Sequence, residues 1–471
     1  MQPIIKPSSE LRKNYNSIAE ICRANKTPVF LTKNGEGDTV IMDMETYARR
    51  EDDLAAAERL LTAERARLAG TKGHTVDEFR TNMRKAVEKG ARTHGVLFSN
   101  ITILDEKFSV QTGKYVATEG SRIAWIGDAP PAGRDYGRVY DGRDKLLMPA
   151  FYNAHTHLPM SLLRGHGENL ALDAWLKTRI FPFEARMTSE DVYHATMLSI
   201  AEMLRFGVVS ASDMYYFCGA IARAVLESGV KANLGRAVTC SDGRGLRDLP
   251  AYRETLSLLE EFDGAGDSRL LIDFALHAEY TNSERVIREF AVALCERGAR
   301  VQVHVSETKK EHEECKARHE GRTPVQYLSD LGVLDKPLVA AHCVHLEGDD
   351  FALLRAKGAT VASCPKSNMK LASGVADAPR IMREGINLAL GTDGAASNNN
   401  LNMLEEIKFF ALAQKCFHAD PALIAPGEAL RAATVAGALA QGRSGTGALR
   451  EGYAADLIVL DLSAPYLQPP A

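Results

Sequence analysis

Met148-Pro-Ala-Phe-Tyr-Asn-Ala-His-Thr-His157 is an apolar run that ends in two histidines one residue apart. Alternate side chains of a β-strand point to the same face, so His155 and His157 are expected to lie side by side. Two neighbouring imidazoles at the end of a strand can hold one metal ion. A single His-x-His pattern also arises by chance or through packing, so its meaning depends on the rest of the chain.

Strand-like and helix-like segments alternate after residue 146. Eight apolar runs have the composition of buried strands, and each is followed by enough chain for a helix. These runs are 147–157, 207–216, 230–238, 270–280, 300–307, 338–345, 360–367 and 387–394. Eight such repeats predict a (β/α)8 barrel of the α/β class. The alternative is a doubly wound open sheet, but the chain has no Gly-x-Gly-x-x-Gly turn to support it.

Polar, metal-competent side chains occur at the ends of five of these strands. They are His155 and His157 on the first, His277 on the fourth, His304 and Glu307 on the fifth, His342 on the sixth and Asp393 on the eighth. The carboxyl ends of the strands form the functional face of such a barrel. Because buried polar groups are costly without partners, five polar strand ends together indicate one functional site.

The composition is that of a globular protein. Hydrophobic residues make up 45% and charged residues 25% of the 471 residues, and the formal net charge is −4. This charge gives no global argument for binding to nucleic acid or a membrane. The eight cysteines are scattered without a Cys-x-x-Cys pair, which argues against a disulfide framework and favours the cytoplasm. We find no signal-peptide core and no apolar run long enough to span a bilayer, so no membrane partner is expected.

Smaller regions are expected on both sides of the barrel. The expected boundaries are 1–50 for a small α+β domain, 51–94 for a helical linker or tail, 95–146 for the first part of an accessory β unit, 147–446 for the barrel and 447–471 for the last part of the β unit. In the first region, apolar runs at 28–33 and 38–42 predict a hairpin. Ser8 and Ser9 are candidate caps of a helix that continues to Ile21, and a second helix is expected from Asp43.

The strand-end motifs resemble those of the amidohydrolase superfamily. The motifs are His155-Thr-His157, His304-x-x-Glu307, Ala341-His342 and Gly391-Thr-Asp-Gly394. More narrowly, the segments 153–157, 162–165, 175–176, 181–184 and 393–399 resemble the S-adenosylhomocysteine/5′-methylthioadenosine deaminases of the cytosine/adenosine-deaminase-like branch. The match runs from about residue 95 to the end of the chain.

This resemblance implies a metal-dependent hydrolase that releases ammonia from an adenosine-type nucleoside, such as S-adenosylhomocysteine, methylthioadenosine or adenosine. It implies metal ligation by His155, His157, His304 and Asp393. Zn²⁺ suits three neutral imidazoles and one carboxylate, and Fe²⁺ or Mn²⁺ could bind the same set. Glu307 is expected to shuttle protons, and His342 is expected to stabilise an oxyanion or hold the attacking hydroxide. Asp393 is expected to take a proton from the water while it ligates the metal.

The resemblance also implies four substrate contacts, from Trp175, Glu184, Arg236 and His277. Glu184 would accept hydrogen bonds from ribose hydroxyls, and His277 would contact a purine ring nitrogen. Arg236, at the end of the third strand, would reach a distal carboxylate. Members often carry a second arginine, for which both Arg244 and Arg247 are candidates.

Two features refine this expectation. Binuclear members of the superfamily usually carry a bridging lysine on the fourth strand, and residues 270–280 contain none, which favours one metal ion per subunit. A guanine-, cytosine- or triazine-type aminohydrolase or chlorohydrolase of the same superfamily stays open as an alternative. Family members continue for several strands beyond a segment like 453–460, so the accessory β unit is expected to be incomplete.

The first fifty residues resemble the Phd/YefM family of bacterial antitoxins. The resemblance rests on residues 9–14, 28–35 and 44–47. It implies a domain that dimerises and binds operator DNA, followed by a segment that wraps a toxin, for which 51–94 is the counterpart. An antitoxin-like protein that binds DNA or a toxin and carries a passenger enzyme domain is therefore a further alternative. We also expect a homo-oligomer.

Overall fold

The structure, a computed structural model, describes residues 4–7, 15–25, 29–33, 36–42, 95–134, 136–167, 169–463 and 467. The chain divides into two compact units, Met1–Gly90 and Ala91–Ala471. The start of the helix predicted after Ser8, the helix predicted from Asp43 and the helices predicted within 51–94 lie outside the described residues. The boundaries given above for the five regions stay predictions.

The N-terminal unit combines a helix with a three-stranded sheet. Strand β1 (Ile4–Pro7) is parallel to β2 (Val29–Lys33), which pairs antiparallel with β3 (Glu36–Ile41). Helix α1 (Tyr15–Asn25) packs on β2. The buried side chains between them are Ile18, Cys22, Val29 and Leu31. The strands predicted at 28–33 and 38–42 are therefore present, and they pair as the hairpin pattern indicated.

An accessory sheet precedes the barrel in the second unit. Its strands are β4 (Val96–Leu104), β5 (Val110–Glu119), β6 (Arg122–Gly127), β7 (Arg138–Asp141) and β8 (Lys145–Pro149). Strand β4 pairs antiparallel with β5 and parallel with β7 and β8, and β5 pairs antiparallel with β6. A late strand, β17 (Leu457–Asp461), pairs antiparallel with β8. The sheet therefore joins both ends of this unit in sequence.

Eight parallel strands form the barrel. They are β9 (Phe151–Thr156), β10 (Val208–Tyr215), β11 (Lys231–Val238), β12 (Leu270–Ala278), β13 (Val301–Val305), β14 (Leu338–His342), β15 (Thr360–Ser363) and β16 (Asn387–Leu390). Each strand is hydrogen-bonded to its neighbours in sequence order. Their side chains are mostly buried, as expected for strands that are covered on both faces. The predicted (β/α)8 architecture is confirmed.

One predicted strand is wrong as a single element. The run 147–157 is divided between β8 in the accessory sheet and β9 in the barrel. Pro149 has no N–H to continue the first ladder. The Ala150 amide donates to the Asp456 carbonyl (2.9 Å), and the Phe151 amide donates to the Gly207 carbonyl (2.8 Å). The chain therefore changes sheets at Ala150 and enters the barrel directly.

Helices cover the outside of the barrel and connect its strands. They are α2 (Leu172–Trp175), α3 (Phe181–Glu184), α4 (Ser189–Arg205), α5 (Cys218–Ser228), α6 (Pro250–Phe262), α7 (Ala265–Ser268), α8 (Glu284–Arg297), α9 (Lys309–Arg318), α10 (Pro324–Asp330), α11 (Asp350–Ala356), α12 (Pro365–Lys370), α13 (Ala378–Arg383), α14 (Ala395–Asn398), α15 (Met403–His418), α16 (Pro426–Ala433) and α17 (Val435–Ala440). Thr188 caps α4 through a capping box with Asp191, and Gly207 follows the helix with a φ of 78°. The helix predicted from Thr188 to Gly207 is present. Among the described residues, no helix is both long and apolar enough to cross a membrane.

Candidate active site

The side chains predicted at the strand ends meet at the carboxyl end of the barrel. His155 lies on β9, His304 lies on β13, and His342 is the last residue of β14. His157 and Asp393 lie just beyond β9 and β16. The ring centre of His155 is 4.9 Å from those of His157 and His304, and 5.4 Å from that of His342. The structure therefore brings these residues into one cluster.

The first and last strands of the barrel, β9 and β16, meet beside this cluster, and we call the contacts between them and the residues that follow them the seam. The Asp393 amide donates to the His155 carbonyl (3.0 Å). The Asn153 side chain donates to Thr392 Oγ1 (2.7 Å) and accepts a hydrogen bond from the Thr392 amide (3.0 Å). A Cβ atom at Gly391 would lie 2.8 Å from His155 Cβ, so glycine is required for this close approach. The seam holds His155 and Asp393 in a fixed relation to each other.

Three residues at the strand ends have left-handed backbone conformations. The φ angles are 49° at Ser306, 71° at His342 and 60° at Asp393. Residues other than glycine seldom adopt this region, and such strained positions persist only where the surrounding structure enforces them. The side chains of His342 and Asp393 line the inner end of the barrel opening, whereas Ser306 Oγ lies 3.1 Å from His312 Nδ1.

His155 lies at the centre of two groups of metal-competent atoms. Ligand atoms of His155, His304 and His342 lie within 4.8 Å of one another, as do those of His155, His157 and Asp393. His155 Nε2 is buried and has no hydrogen-bond partner among the described residues. Burial lowers the pKa of His155 and His304 well below the usual value, so both rings are neutral. A buried lone pair without a proton donor is the condition that a metal ion satisfies.

The rings of His157 and His304 are held by backbone carbonyls. His157 Nδ1 is 2.5 Å from the Met214 carbonyl oxygen, and His304 Nδ1 is 2.6 Å from the His277 carbonyl oxygen. A ring that donates its Nδ1–H to a carbonyl directs Nε2 the other way, and Nε2 can bind a metal ion when it carries no proton. Metal-binding histidines typically donate their other ring N–H to a carbonyl or carboxylate in this way. The two hydrogen bonds orient both Nε2 atoms toward the cluster.

The Asp393 carboxylate is oriented on both of its oxygens. Oδ2 accepts hydrogen bonds from Ser367 Oγ (2.6 Å) and Ser397 Oγ (2.8 Å), and Oδ1 accepts from the Gly394 amide (2.8 Å). His157 Nε2 lies 3.2 Å from Oδ1. Burial disfavours charge on both partners, yet their hydrogen bond raises the pKa of His157 to about 9 and keeps that of Asp393 well below its usual range. The site therefore attracts positive charge beside Oδ1.

Glu307 lies beside this cluster in a buried position. Burial and the negative charge of Asp393 raise its pKa to about 8. Ser373 Oγ donates to Glu307 Oε1 (3.3 Å), and His342 Nε2 lies 3.7 Å from Oε2. The amide of Glu307 donates to the Glu311 carboxylate (2.8 Å), which anchors the backbone. A carboxyl group with a pKa near neutrality can both accept and donate a proton at neutral pH.

An inner chamber opens over these groups. Three of the predicted substrate contacts, Trp175, Glu184 and His277, line it together with Glu307 and the imidazoles of His157, His304 and His342. Burial raises the pKa of Glu184, and the Tyr215 hydroxyl in the same chamber partly offsets this rise. Burial lowers the pKa of His277 to about 4, so its ring is a neutral hydrogen-bonding group. Apolar walls and a group of converging polar side chains occur together here, as they do in small-molecule sites.

Arg236 lines a separate outer chamber. The two chambers share five wall residues, which are Leu176, Phe181, Glu184, Tyr216 and Tyr280. Of the two candidates for a second arginine, Arg244 lines the outer chamber and Arg247 lines a different cavity. The structure therefore brings Arg236 and Arg244 together but does not place Arg236 among the imidazoles.

Comparison of the sequence with models of known protein families agrees with this geometry. Residues 146–471 match the family model described as "Amidohydrolase family". The chain belongs to the amidohydrolase family. Members of this family depend on a metal ion. Residues 4–74 match the model described as "Antitoxin Phd_YefM, type II toxin-antitoxin system", in line with the resemblance of the first fifty residues.

Named relatives lie within the deaminases of this family. A 5-methylthioadenosine/S-adenosylhomocysteine deaminase from Pelotomaculum thermopropionicum is 42% identical over 75% of this chain and 81% of its own length. A 5′-deoxyadenosine deaminase from Methanothermobacter thermautotrophicus is 38% identical over 75% and 82%. The crystal structure of an adenosine deaminase from Xanthomonas campestris with bound zinc is 32% identical, with a TM-score of 0.73 over 80% and 86%.

Sequence reasoning missed the polar residues that follow the seventh strand of this amidohydrolase barrel. Ser367 bonds Asp393, Ser373 bonds Glu307, and the Asn368 side-chain amide lies 3.0 Å from His342 Nδ1. The signal was available, because Ser367 ends the predicted strand 360–367 and Asn368 follows it, where functional residues of such barrels lie. Tyr215 was also missed, although it is the last residue of β10 and therefore carries the same signal.

A third group of metal-competent atoms does not include His155 and lies outside the chambers. Glu279, Cys315 and His319 have ligand atoms within 4.8 Å of one another. Here the carboxylate already has two cationic or donor partners, since His319 Nε2 lies 2.7 Å from Oε1 and Arg318 Nη2 lies 2.8 Å from Oε2. We interpret this group as a buried carboxylate satisfied by its neighbours, in contrast to the His155 cluster.

Proposed function

We propose that this chain is a metal-dependent deaminase that converts an adenosine-type nucleoside and water into the inosine-type nucleoside and ammonia. The observation that carries the proposal is the buried, unpartnered Nε2 of His155 at the centre of the imidazole and carboxylate cluster. The names of the relatives, which include methylthioadenosine, S-adenosylhomocysteine and 5′-deoxyadenosine deaminases, support the substrate class. The zinc bound in the crystal structure of the 32% identical adenosine deaminase supports the choice of metal.

His155, His157, His304 and Asp393 would hold one Zn²⁺ ion per subunit, and Fe²⁺ or Mn²⁺ could take the same place. Neutral imidazoles and a carboxylate form the donor set that these cations prefer. When bound, the cation would lower the pKa of a water molecule to about 7 and so supply hydroxide at neutral pH. Ser367 and Ser397 would keep the Asp393 carboxylate in its orientation.

Glu307 would move the protons of the reaction. Its carboxylate would take up the proton that the attacking water releases, donate it to a purine ring nitrogen and then assist the departure of ammonia. His342 Nε2 faces Glu307 and would stabilise the oxygen that adds to the amine-bearing carbon. Asp393 would accept the second proton of the water after the water oxygen has added to the carbon, and this proton would leave with the ammonia.

The inner chamber would orient the substrate. His277 would hydrogen-bond a purine ring nitrogen with its neutral ring, and Trp175 would form part of the apolar wall beside the base. Glu184 would accept hydrogen bonds from ribose hydroxyls, a role that suits a carboxylate at the junction of the two chambers. Arg236 would lie beyond the ribose and face the 5′ substituent.

Ammonia release from a panel of substrates tests this proposal. The panel contains adenosine, methylthioadenosine, S-adenosylhomocysteine and 5′-deoxyadenosine, with guanine, cytosine and an aminotriazine as the alternatives. The full chain is loaded separately with Zn²⁺, Fe²⁺ and Mn²⁺, and the metal content is measured in each sample. Turnover confined to the nucleosides supports the proposal. Metal-loaded protein that turns over only a free base or the triazine would replace it with the alternative.

We propose a second function for the N-terminal region, namely binding to operator-like DNA or to a toxin. The family match over residues 4–74 favours it. A cytoplasmic homo-oligomer would suit both activities. A gel-shift assay with the DNA upstream of the coding region, at low salt, tests the first partner, since phosphate contacts strengthen as salt falls. Absence of a shift at low salt, together with no capture of a neighbouring gene product, would remove this function.

A further inference from the structure

The outer chamber is a site of paired charges. The cations that the structure describes around it are Lys177, Arg236 and Arg244. Each has a carboxylate partner 2.7 Å away, which is Asp173 for Lys177, Glu254 for Arg236 and Asp242 for Arg244. Glu184 adds a fourth carboxylate at the entrance to the inner chamber. The described walls of the outer chamber therefore offer no unneutralised positive charge to a ligand.

The Arg236–Glu254 pair differs from the other two in burial. The side chains of Arg236 and Glu254 are 16% and 32% exposed, whereas those of the other two pairs are all more than half exposed. Exposed pairs are screened by water and salt and open at little cost. A partly buried pair is screened less and holds its geometry. Glu254 is therefore the carboxylate with the largest effect on what the chamber accepts.

Several contacts fix this pair in place. Arg236 Nε donates to Glu254 Oε2 (2.7 Å), and Nη1 donates to the Ala237 carbonyl (2.7 Å). The guanidinium lies over the Tyr216 ring, 4.7 Å from its centre. Glu254 accepts a further hydrogen bond from the Cys218 amide (3.0 Å) through Oε1. Neither partner can turn away from the other without losing these contacts.

The position of the pair determines which part of a substrate it meets. In the proposed function, on which this inference rests, the base lies against His277 and Glu307, and the ribose hydroxyls reach Glu184. The 5′ substituent then extends past the shared wall into the outer chamber. A carboxylate at the end of that substituent would meet Arg236 only in the presence of Glu254, and two carboxylates at one guanidinium repel each other.

We propose that Glu254 is a specificity-determining residue, which makes the enzyme prefer adenosine-type nucleosides whose 5′ substituent ends in a neutral or cationic group over those that end in a carboxylate. Arg236 serves in this arrangement as a partner of Glu254 and a wall of the chamber. The charge of Glu254 is therefore expected to change the ratio of kcat/KM values between substrates with different 5′ end groups.

Three 5′-thioether adenosines of similar length test this proposal. Their substituents end in a methyl, a carboxylate and an ammonium group, and the measurement is kcat/KM for each with the metal-loaded full chain. For the unsubstituted enzyme, the carboxylate compound is expected at least about tenfold below the methyl compound. In Glu254→Gln, which keeps the size and the Cys218 contact, the carboxylate-to-methyl ratio is expected to rise about tenfold.

A matched control is Glu289→Gln, which breaks another arginine–glutamate pair (Arg285 Nε to Glu289 Oε1, 2.8 Å) outside both chambers. It is expected to leave the ratio unchanged. The proposal is overturned by a ratio near one in the unsubstituted enzyme, or by a Glu254→Gln ratio that does not rise. Equilibrium dialysis of the same three compounds measures the charge preference in binding. It therefore tests Glu254 even if no nucleoside is turned over, which would be a failure of the proposed function alone.

Discussion

The inner and outer chambers differ in whether the protein satisfies its own polar groups. The ring of His155 lies 4.9 Å from those of His157 and His304 in the wall of the inner chamber, and its buried Nε2 has no hydrogen-bond partner in the described part of the chain. Burial raises the pKa of Glu307, in the same wall, to about 8. In the outer chamber, each described cation already has a carboxylate 2.7 Å away. An unsatisfied buried nitrogen among other metal-competent atoms favours a bound cation, whereas a chamber of closed ion pairs selects among ligands.

The inner and outer chambers also differ in the backbone elements that carry their polar residues. The metal-competent residues of the inner chamber lie at or just beyond strand ends, and His342 and Asp393 hold left-handed conformations there. The outer chamber is built from helices and the loop after β11, including Asp242 and Arg244, which are more than half exposed. Substitutions in the inner chamber should therefore affect metal binding and rate, and those in the outer chamber should affect substrate preference.

Removal of the central imidazole should have the largest effect. His155→Ala removes the atom common to both groups of ligand atoms. We expect the purified variant to lose its bound metal and kcat/KM to fall by more than about a thousandfold. Added Zn²⁺ should raise the unfolding midpoint of the unsubstituted protein, because the native state binds the ion, but not that of the variant.

The exposed His194 provides the control, since His194→Ala removes an imidazole on α4 that pairs only loosely with Glu190 (3.8 Å). It should retain both the metal and the activity. If elemental analysis found one metal ion per chain in His155→Ala, His155 would not be an essential ligand. The proposed difference between the inner and outer chambers would then be wrong.

Glu307→Gln should separate proton transfer from metal binding. The amide keeps the size of the side chain but cannot take up a proton, so kcat should fall by about a hundredfold to ten-thousandfold. Metal content should stay the same, because Glu307 lies outside the proposed ligand set. The exposed Glu313, on the neighbouring helix α9, gives the control Glu313→Gln. Loss of the metal from Glu307→Gln would mean that this carboxylate is itself a ligand.

Glu184, which lines both chambers, should affect KM more than kcat. Hydrogen bonds to a charged group contribute enough that Glu184→Gln should raise KM for a nucleoside about tenfold to a hundredfold relative to the free base. Burial raises the pKa of Glu184. Because the ionised form accepts the ribose hydrogen bonds, KM should rise as the pH falls through this raised pKa, and less so in the variant.

The KM profile of adenosine against pH, measured for both proteins, checks this expectation, with adenine as the substrate that lacks ribose. Equal pH dependence in the two proteins would exclude Glu184 as the titrating group. An unchanged nucleoside-to-base ratio in Glu184→Gln would favour the alternative substrates of the same superfamily.

Sequence patterns predicted the barrel and its metal-competent residues because both follow from local rules. Apolar runs of strand length alternate with helical segments, and the chemistry of such a barrel lies where its strands end. His155, His304, His342 and Asp393 could be found in this way since each ends or closely follows an apolar run. Their roles in ligation and catalysis remain predictions.

The contacts that complete the chambers are tertiary and could not be found in the same way. Ser373 reaches Glu307 across 66 residues, and Asn368 reaches His342 across 26. Glu254 meets Arg236 only because α6 packs against β11. The division of 147–157 at Ala150 was missed because an apolar run has the same pattern in either sheet, and only the partner strands distinguish them.

Neutralising Asp242 in the outer chamber should have the smallest effect. Arg244 and Asp242 form a bidentate pair whose side chains are both more than half exposed, and the pairing lowers the pKa of Asp242. Exposed pairs contribute little in water, so Asp242→Asn should change kcat/KM for the carboxylate and methyl thioethers by less than about threefold each. The unfolding midpoint should not shift measurably. A change in the carboxylate-to-methyl ratio as large as that in Glu254→Gln would mean that the outer chamber acts through its total charge, and that the buried pair has no special part in it.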